Sequence, residues 1–409
     1  MNTTTATLPA AAEFPRPVAL LLNIAHGIDH MFLLIFATAV GTIATEFGIA
    51  RWEDLMPYSV GAFFLFGIGS VPAGRLGDLW GRRQMMLLFF FGMGVSALIA
   101  AATQNAWQLA AALTLLGAFA SIYHPVGIPM LVQHAKNPGA VIGINGLAGN
   151  LGVAAAALVT GFLIKWFGWR MAFILPGLVC LGLGVAFALL CPQETEAPAK
   201  RKGKAKVSLP PDVLARVFFI MTAAAATASL LFNFTLNGNA QLMTERFRGL
   251  IEDPAVLGAL LAGIYAIASL AQIVVGRMID RMPFKWLNIW MALAQIPFLI
   301  LAAYAQGWWL YVWLLATMIF IFGSIPFTDA MIVRYVDDRL RSRVAGMRLA
   351  VSFGISSLAV WALGPLVKDA GFTVLFWVMA VLAMCKVGMV LFLPNETPAL
   401  AEPDVPKTA

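Results

Sequence analysis

His26, Asp29 and His30 stand at positions i, i+3 and i+4 of one apolar run, so in a helix they share a face. A later run carries Tyr123 and His124, followed at once by Pro125. Asp329 lies inside another, and Asn233 and Asn237 share a face of a fourth. Ionisable groups are costly in an apolar medium, so each is a functional candidate by default. Two chemistries suit the set. A carboxylate beside histidines can load a proton and release it. The same nitrogens and oxygens are also ligands suited to a divalent transition metal. The amides at 233 and 237 either join helices or contact a substrate. Pro125 removes a backbone donor and opens a kink beside His124.

The elements that must position these groups follow from composition. The chain has 409 residues, 61% hydrophobic and 11% charged, with a mean hydropathy of +0.85. A soluble domain carries about 25% charged residues. So little charge excludes an ordinary soluble enzyme, a disordered chain and a nucleic-acid binder. The net charge of +7 lies in short clusters between apolar runs, as in a polytopic membrane protein. At roughly 20 residues per span, about twelve transmembrane helices fit. The expected spans are 17–45, 55–75, 84–104, 107–132, 139–165, 169–192, 213–243, 255–279, 285–304, 308–334, 343–367 and 371–393. The first reads as a retained helix rather than a signal peptide. Cys180, Cys191 and Cys385 sit in apolar runs without paired spacing and read as small hydrophobes.

A basic, Pro- and Ala-rich stretch at 193–212 divides the chain into an N-terminal bundle, 1–192, and a C-terminal bundle, 213–409. Lys and Arg set the orientation. With both termini in the cytoplasm, Arg75, Arg82, Arg83 and the linker lysines lie inside; Arg51, Lys165, Arg170, Arg246, Arg248 and Lys368 lie outside. The halves read as a duplication. Gly74, Arg75 and Asp78 recur as Gly276, Arg277 and Asp280. Ser121, Gly143, Gly161, Lys165 and Gly168 recur as Ser324, Gly346, Gly364, Lys368 and Gly371. The expected fold is an all-α membrane protein of twelve helices in two pseudo-symmetric six-helix bundles.

The most specific string runs Gly74-Arg-Leu-Gly-Asp-Leu-Trp-Gly-Arg-Arg83, between the second and third spans. It resembles the major facilitator superfamily signature Gly-x-Leu-Ala-Asp-Arg-x-Gly-Arg-Arg. Gly74, Leu76, Asp78, Gly81, Arg82 and Arg83 match, and Leu79 departs where a basic residue is usual. The resemblance covers the whole chain. It implies a cytoplasmic gate of Gly74, Asp78, Gly81, Arg82 and Arg83, with Asp78 bridging to the other half near Arg341, Ser342 and Arg343. It also implies that spans 1, 4, 7 and 10 line a central cavity. That would place His26, Asp29 and His30 as the proton-coupling set, and Tyr123, His124, Asn233, Asn237 and Asp329 as substrate contacts.

The segment Tyr123-His124-Pro125-Val126-Gly127, with the His–Asp pair of span 1, is similar to the fosmidomycin-resistance-type branch of drug:proton antiporters. In span 5, Gly143 and Gly152 fit the antiporter spacing, but Ala156 and Ala157 stand where the next Gly and a Pro are usual. No Walker sequence, nucleophile elbow or Cys-rich zinc site is present, so neither an enzyme nor a cofactor is expected. The reading is proton-coupled export of a small organic or drug-like compound by alternating access. The expected setting is a bacterial inner membrane, with substrate, protons and the lipid bilayer as partners and a monomer as the unit. Proton-coupled uptake of a metabolite remains an alternative. So does divalent metal transport through His26, Asp29, His30 and His124.

Overall fold

The computed structural model describes residues 15–132, 138–193, 211–279, 281–327 and 338–393. Backbone polar groups in lipid must be satisfied within the segment, and long apolar runs answer that constraint as helices. The helices are α1 Arg16–Glu46, α2 (Trp52–Ile68 and Ser70–Trp80, meeting at 44°), α3 Arg82–Ala101, α4 Ala106–Val132, α5 Pro138–Phe167 and α6 Trp169–Leu190. The second half holds α7 Pro211–Arg246, α8 Pro254–Ile279, α9 Phe284–Tyr304 and α10 Gly307–Phe327. A last stretch, Asp338–Leu391, breaks at Gly371 into α11 (338–370) and α12 (372–391). The expected spans coincide with these helices to within a few residues. Most of the linker, and the end of the tenth expected span, lie outside the described residues. Large apolar side chains such as Trp107, Leu189 and Phe219 are exposed. That inverts the soluble pattern and fits a lipid-facing surface.

The recurrent residues now acquire structural meaning. Gly168 and Gly371 both have positive φ, 82° and 76°, and each parts the fifth helix of its half from the sixth. Ser121 and Ser324 both sit at the first break of the fourth helix of their half, each hydroxyl donating to a carbonyl of the preceding turn. In α4 that break continues into a π-turn over Tyr123–Gly127. Pro125, which lacks an N–H, makes the regular ladder impossible there.

Within each half the fifth helix packs on the first. In the N-terminal half, Gly27 of α1 meets Gly152 of α5 backbone to backbone. In the C-terminal half the α7–α11 seam is polar: Ser229 Oγ lies 2.8 Å from Ser356 Oγ, and Asn233 Nδ2 donates to Ser356 Oγ at 2.8 Å.

Candidate functional site

Asp29 lies near the middle of α1, about 20 Å from its start at 1.5 Å per residue. It is 0% exposed. Neither carboxylate oxygen has a hydrogen-bond partner among the described residues. His124 Nε2 is 3.8 Å from Asp29 Oδ2, an electrostatic neighbour beyond hydrogen-bond reach. The Nε2 atoms of His26, His30 and His124 are likewise buried and unpartnered. The three imidazoles crowd together: His26 and His30 have ring centroids 4.8 Å apart, His26 and His124 5.0 Å, His30 and His124 5.6 Å. His26 and Asp29 are buried, whereas His30 and His124 are half-buried with their Nε2 atoms enclosed.

The π-turn builds the other side of this cluster. Adjacent residues in an α-helix point about 100° apart, yet Tyr123 and His124 both reach His26. The Tyr123 ring stacks on it at 4.8 Å and 15°, and His124 meets it edge-on. A π-turn inside a helix is often found at a functional site. Tyr123 Oη donates to Leu22 O at 2.7 Å and accepts from Asn145 Nδ2 at 2.7 Å. Asn145 also donates to Asn23 Oδ1 at 2.9 Å, and its backbone carbonyl lies 2.7 Å from His26 Nδ1. A carbonyl only accepts, so Nδ1 carries the hydrogen and Nε2 is left as the free lone pair. Tyr123→Phe therefore strands an amide hydrogen of Asn145. The expected cost is about 1–3 kcal/mol, read as a lower unfolding temperature in detergent, with His26 less firmly held.

Aromatic rings from both halves close over His124. Phe66 of α2 and Phe353 of α11 lie 4.4 Å apart, and each is 5.7 Å from the His124 ring. Arg348 of α11 is near enough for its charge to act on His124.

The structure thus brings together His26, Asp29, His30, Tyr123 and His124. Asn233 and Asn237 belong elsewhere: Asn233 is held on the α7–α11 seam, and Asn237 Nδ2 donates back to Asn233 O at 3.0 Å. Asp329 lies outside the described residues. Asn145, Asn23 and Phe353 were not singled out from the sequence. An amide inside a span was the available signal for Asn145, but its contact with His26 runs through the backbone.

The predicted gate string makes staples on the N-terminal half, and the helix that carries it, Ser70–Trp80, also touches the 338–391 stretch of the other half. Gly81, φ 104°, parts α2 from α3. Arg82 Nη1 donates to Pro129 O on α4 at 3.2 Å. Arg83 donates to Ala188 O at 2.7 Å and Cys191 O at 2.9 Å, at the end of α6. Gly74 lies against Pro125 of the π-turn. Asp78 is half-buried. The side chains at 341–343 lie outside the described residues.

At the opposite end, where α1 finishes at Glu46, two ion pairs cross between the halves. Lys165 at the end of α5 pairs with Asp253 before α8, and Lys368 at the end of α11 pairs with Asp54 in the first turn of α2. Lys165 and Lys368 are repeat mates. So are Gly161 and Gly364, one turn earlier, which bring α5 and α11 against the backbone at Pro254 and Glu53. The Lys165 hydrogen bond holds the Asp253 carboxyl below its ordinary value of 3.8. A lowered acid contributes its pairing above that value and loses it as pH falls through the lowered one. This latch therefore stays charged across physiological pH and is no proton carrier. The pairs are partly exposed, so each contributes little. Lys165→Gln with Lys368→Gln should shift the balance toward separation at this end by up to about tenfold. Spin-label distances across the halves check it, and exchanging the charges of Lys165 and Asp253 should restore the balance.

Two pseudo-symmetric six-helix halves, with a titratable cluster at mid-depth, define a secondary membrane transporter. The chain belongs to the Major Facilitator Superfamily, whose family model matches residues 22–250, more than half of its length. That membership makes it a transporter of small molecules and not an enzyme. Multidrug resistance protein MdtG of Serratia proteamaculans is 23% identical over 327 residues, 76% of this chain and 76% of that protein. The probable actinorhodin transporter of Streptomyces coelicolor is 29% identical over 182 residues, 43% of this chain but 30% of that protein. The 4-hydroxybenzoate transporter PcaK of Pseudomonas aeruginosa is 27% identical over 173 residues, 40% of this chain and 38% of that protein. The chain therefore spans about a third of the length of these last two. Among solved structures, nucleoside transporter NupG superposes with a TM-score of 0.72 at 14% identity, covering 92% of this chain and 99% of that one. A bacterial homolog of the human lysosomal transporter Spinster, inward-facing and occupied, gives 0.71 at 15% identity over 94% and 95%. At such identities the likeness concerns the fold alone.

Proposed function

We propose that the chain is a proton-coupled exporter of small organic compounds in a bacterial inner membrane. One observation carries the reading: Asp29 is wholly buried, with no hydrogen bond from the described residues to either oxygen, among three histidines whose Nε2 atoms are equally unpartnered there. A structural ion pair would satisfy its members. This set keeps four open positions for protons. His30 and His124, half-buried, pass them to the cavity, and His26 and Asp29 hold them behind. Loading on the acidic side and release on the other, as the halves alternate access, couples the gradient to substrate movement.

Export is supported by relatives named for resistance: MdtG, and a tetracenomycin C resistance and export protein of Streptomyces glaucescens, 26% identical over 201 residues. The positive-inside asymmetry supports both termini and the 193–212 linker in the cytoplasm. The Glu46 end is then external, and its latches are the external closure. A monomer suffices, because both halves of the cavity come from one chain. Uptake by symport is the second reading, favoured by the relative named as a 4-hydroxybenzoate transporter.

The test is proton flux in proteoliposomes holding a pH-sensitive dye, under an imposed gradient, with a panel of organic compounds. Compound-dependent proton movement is expected. No movement with any compound, in vesicles that still exchange labelled substrate, would refute coupling. The direction of compound movement relative to the proton separates export from uptake.

A further inference from the structure

We propose that His26, His30, His124 and Asp29 form a binding site for a divalent first-row transition metal of the zinc type, and that an ion bound there stops the proton cycle. The binding stands on geometry; only the inhibition rests on the proton reading above. The ion is a ligand of the transporter, not its cargo.

The donor set comes first. The three histidines offer ring nitrogens that all lie within 4.8 Å of one another. A tetrahedral ion holds nitrogen at 2.0–2.1 Å, so it needs its ligand atoms roughly 3.4 Å apart. Small ring rotations of the half-buried His30 and His124 close that difference. The mutually close group is the three histidines alone; Asp29 Oδ2, 3.8 Å from His124 Nε2, has to turn toward the other two rings to take the fourth position. Three neutral imidazoles and one carboxylate suit zinc, cobalt or nickel in the +2 state. The pair at i and i+4 on α1, His26 and His30, is the spacing by which one helix face presents two ligands.

Orientation comes second. A metal-binding histidine is held by what its other nitrogen bonds. His26 has that support: Nδ1 donates to Asn145 O, which aims Nε2 into the cluster. Its ring is clamped between Tyr123, stacked at 4.8 Å, and Gly149, where a Cβ would come within 2.7 Å of it. The positive charge of Arg348 acts on His124 and opposes a cation.

The full chain, purified without a polyhistidine tag, is titrated with Co²⁺. A tetrahedral site gives a strong visible absorption band. One equivalent should bind, and Zn²⁺ should displace it. His30→Ala, His124→Ala and Asp29→Asn should each weaken binding more than about tenfold. His30→Cys, which restores a ligand, should bind more tightly than His30→Ala; size-exclusion profiles and melting temperatures confirm folding throughout. In proteoliposomes, Zn²⁺ should stop compound-driven proton flux over the concentration range in which it displaces Co²⁺. Absence of the band, or binding equal in the wild type and the histidine variants, overturns the site. Zn²⁺ accumulating inside the vesicles overturns the inhibitory role in favour of cargo. A filled site in vesicles that show no compound-driven flux overturns the inhibitory role together with the proton reading, and leaves the binding site standing.

Discussion

Asp29→Asn should abolish gradient-driven transport while leaving the protein as stable as before, or more so. The substitution keeps the volume and removes the titration. Its effect on stability depends on what the carboxylate does now. If Asp29 formed a buried ion pair with His124, breaking it would cost about 3–5 kcal/mol. The 3.8 Å separation, and the lack of a hydrogen bond from any described residue to either oxygen, say that no such pair is made with His124. A neutral amide is cheaper to bury than an unpaired carboxylate. Two measurements on one variant therefore separate coupling from architecture. Proton-driven flux should fall to that of empty vesicles, and the melting temperature should hold or rise. Exchange of labelled substrate for unlabelled, which moves no net proton, should persist. A melting temperature that collapses makes Asp29 structural; normal uphill transport by the variant ends the coupling reading.

Much of this was legible in the sequence because lipid simplifies the code. Apolar runs of sufficient length must be helices, and the punctuation between them is charge, Pro and Gly. The i, i+3, i+4 register put His26, Asp29 and His30 on one face, and the structure keeps them there. His124 was legible as a partner because Pro125 marked a kink beside it. The π-turn that turns Tyr123 and His124 to the same ring was not legible, since it depends on which carbonyls Pro125 frees. The repeat was visible as spacing, but its uses were not. Gly168 and Gly371 could be guessed as breaks. Gly161, Lys165, Gly364 and Lys368 meet the opposite half, and a single chain's sequence does not say which helices meet. Asn145 was hidden for a similar reason, because its carbonyl orients His26 whatever its side chain. The gate string was read by resemblance as a bridge between halves. Among its described contacts, Arg82 and Arg83 bind α3 to α4 and α6.

Gly364→Val should give a folded protein that cannot close its Glu46 end. A Cβ at 364 would stand 2.2 Å from Glu53 O, and one at 161 would stand 2.5 Å from Pro254 O. Both obstacles are backbone oxygens of helix starts, which cannot rotate aside. Relief requires α11 to move from α2 by about 1 Å or more, and over-packing of this kind typically costs about 1–3 kcal/mol. The Lys368–Asp54 pair, one turn beyond, would lengthen with it. The contact is between halves, and the alternating access proposed above would break it in each cycle. The cost therefore falls on one conformation and not on the fold. Gly152→Val is the informative contrast. Its Cβ would stand 1.9 Å from Gly27 O, inside the N-terminal half, on the α1–α5 seam that holds His26 against Asn145. That seam must persist in every conformation, so the same kind of change should lower the melting temperature and the yield of folded protein. Gly182→Ala, where an added Cβ meets nothing within 4 Å, is the control. Spin labels on the two halves at the Glu46 end, with Cys385→Ser in the background, should show Gly364→Val shifted to long distances with transport lost and melting near that of the control. If Gly364→Val keeps the short distance and transports normally, the α2–α11 contact is no gate. If it melts as early as Gly152→Val, the contact is part of the permanent fold and the two halves do not part there.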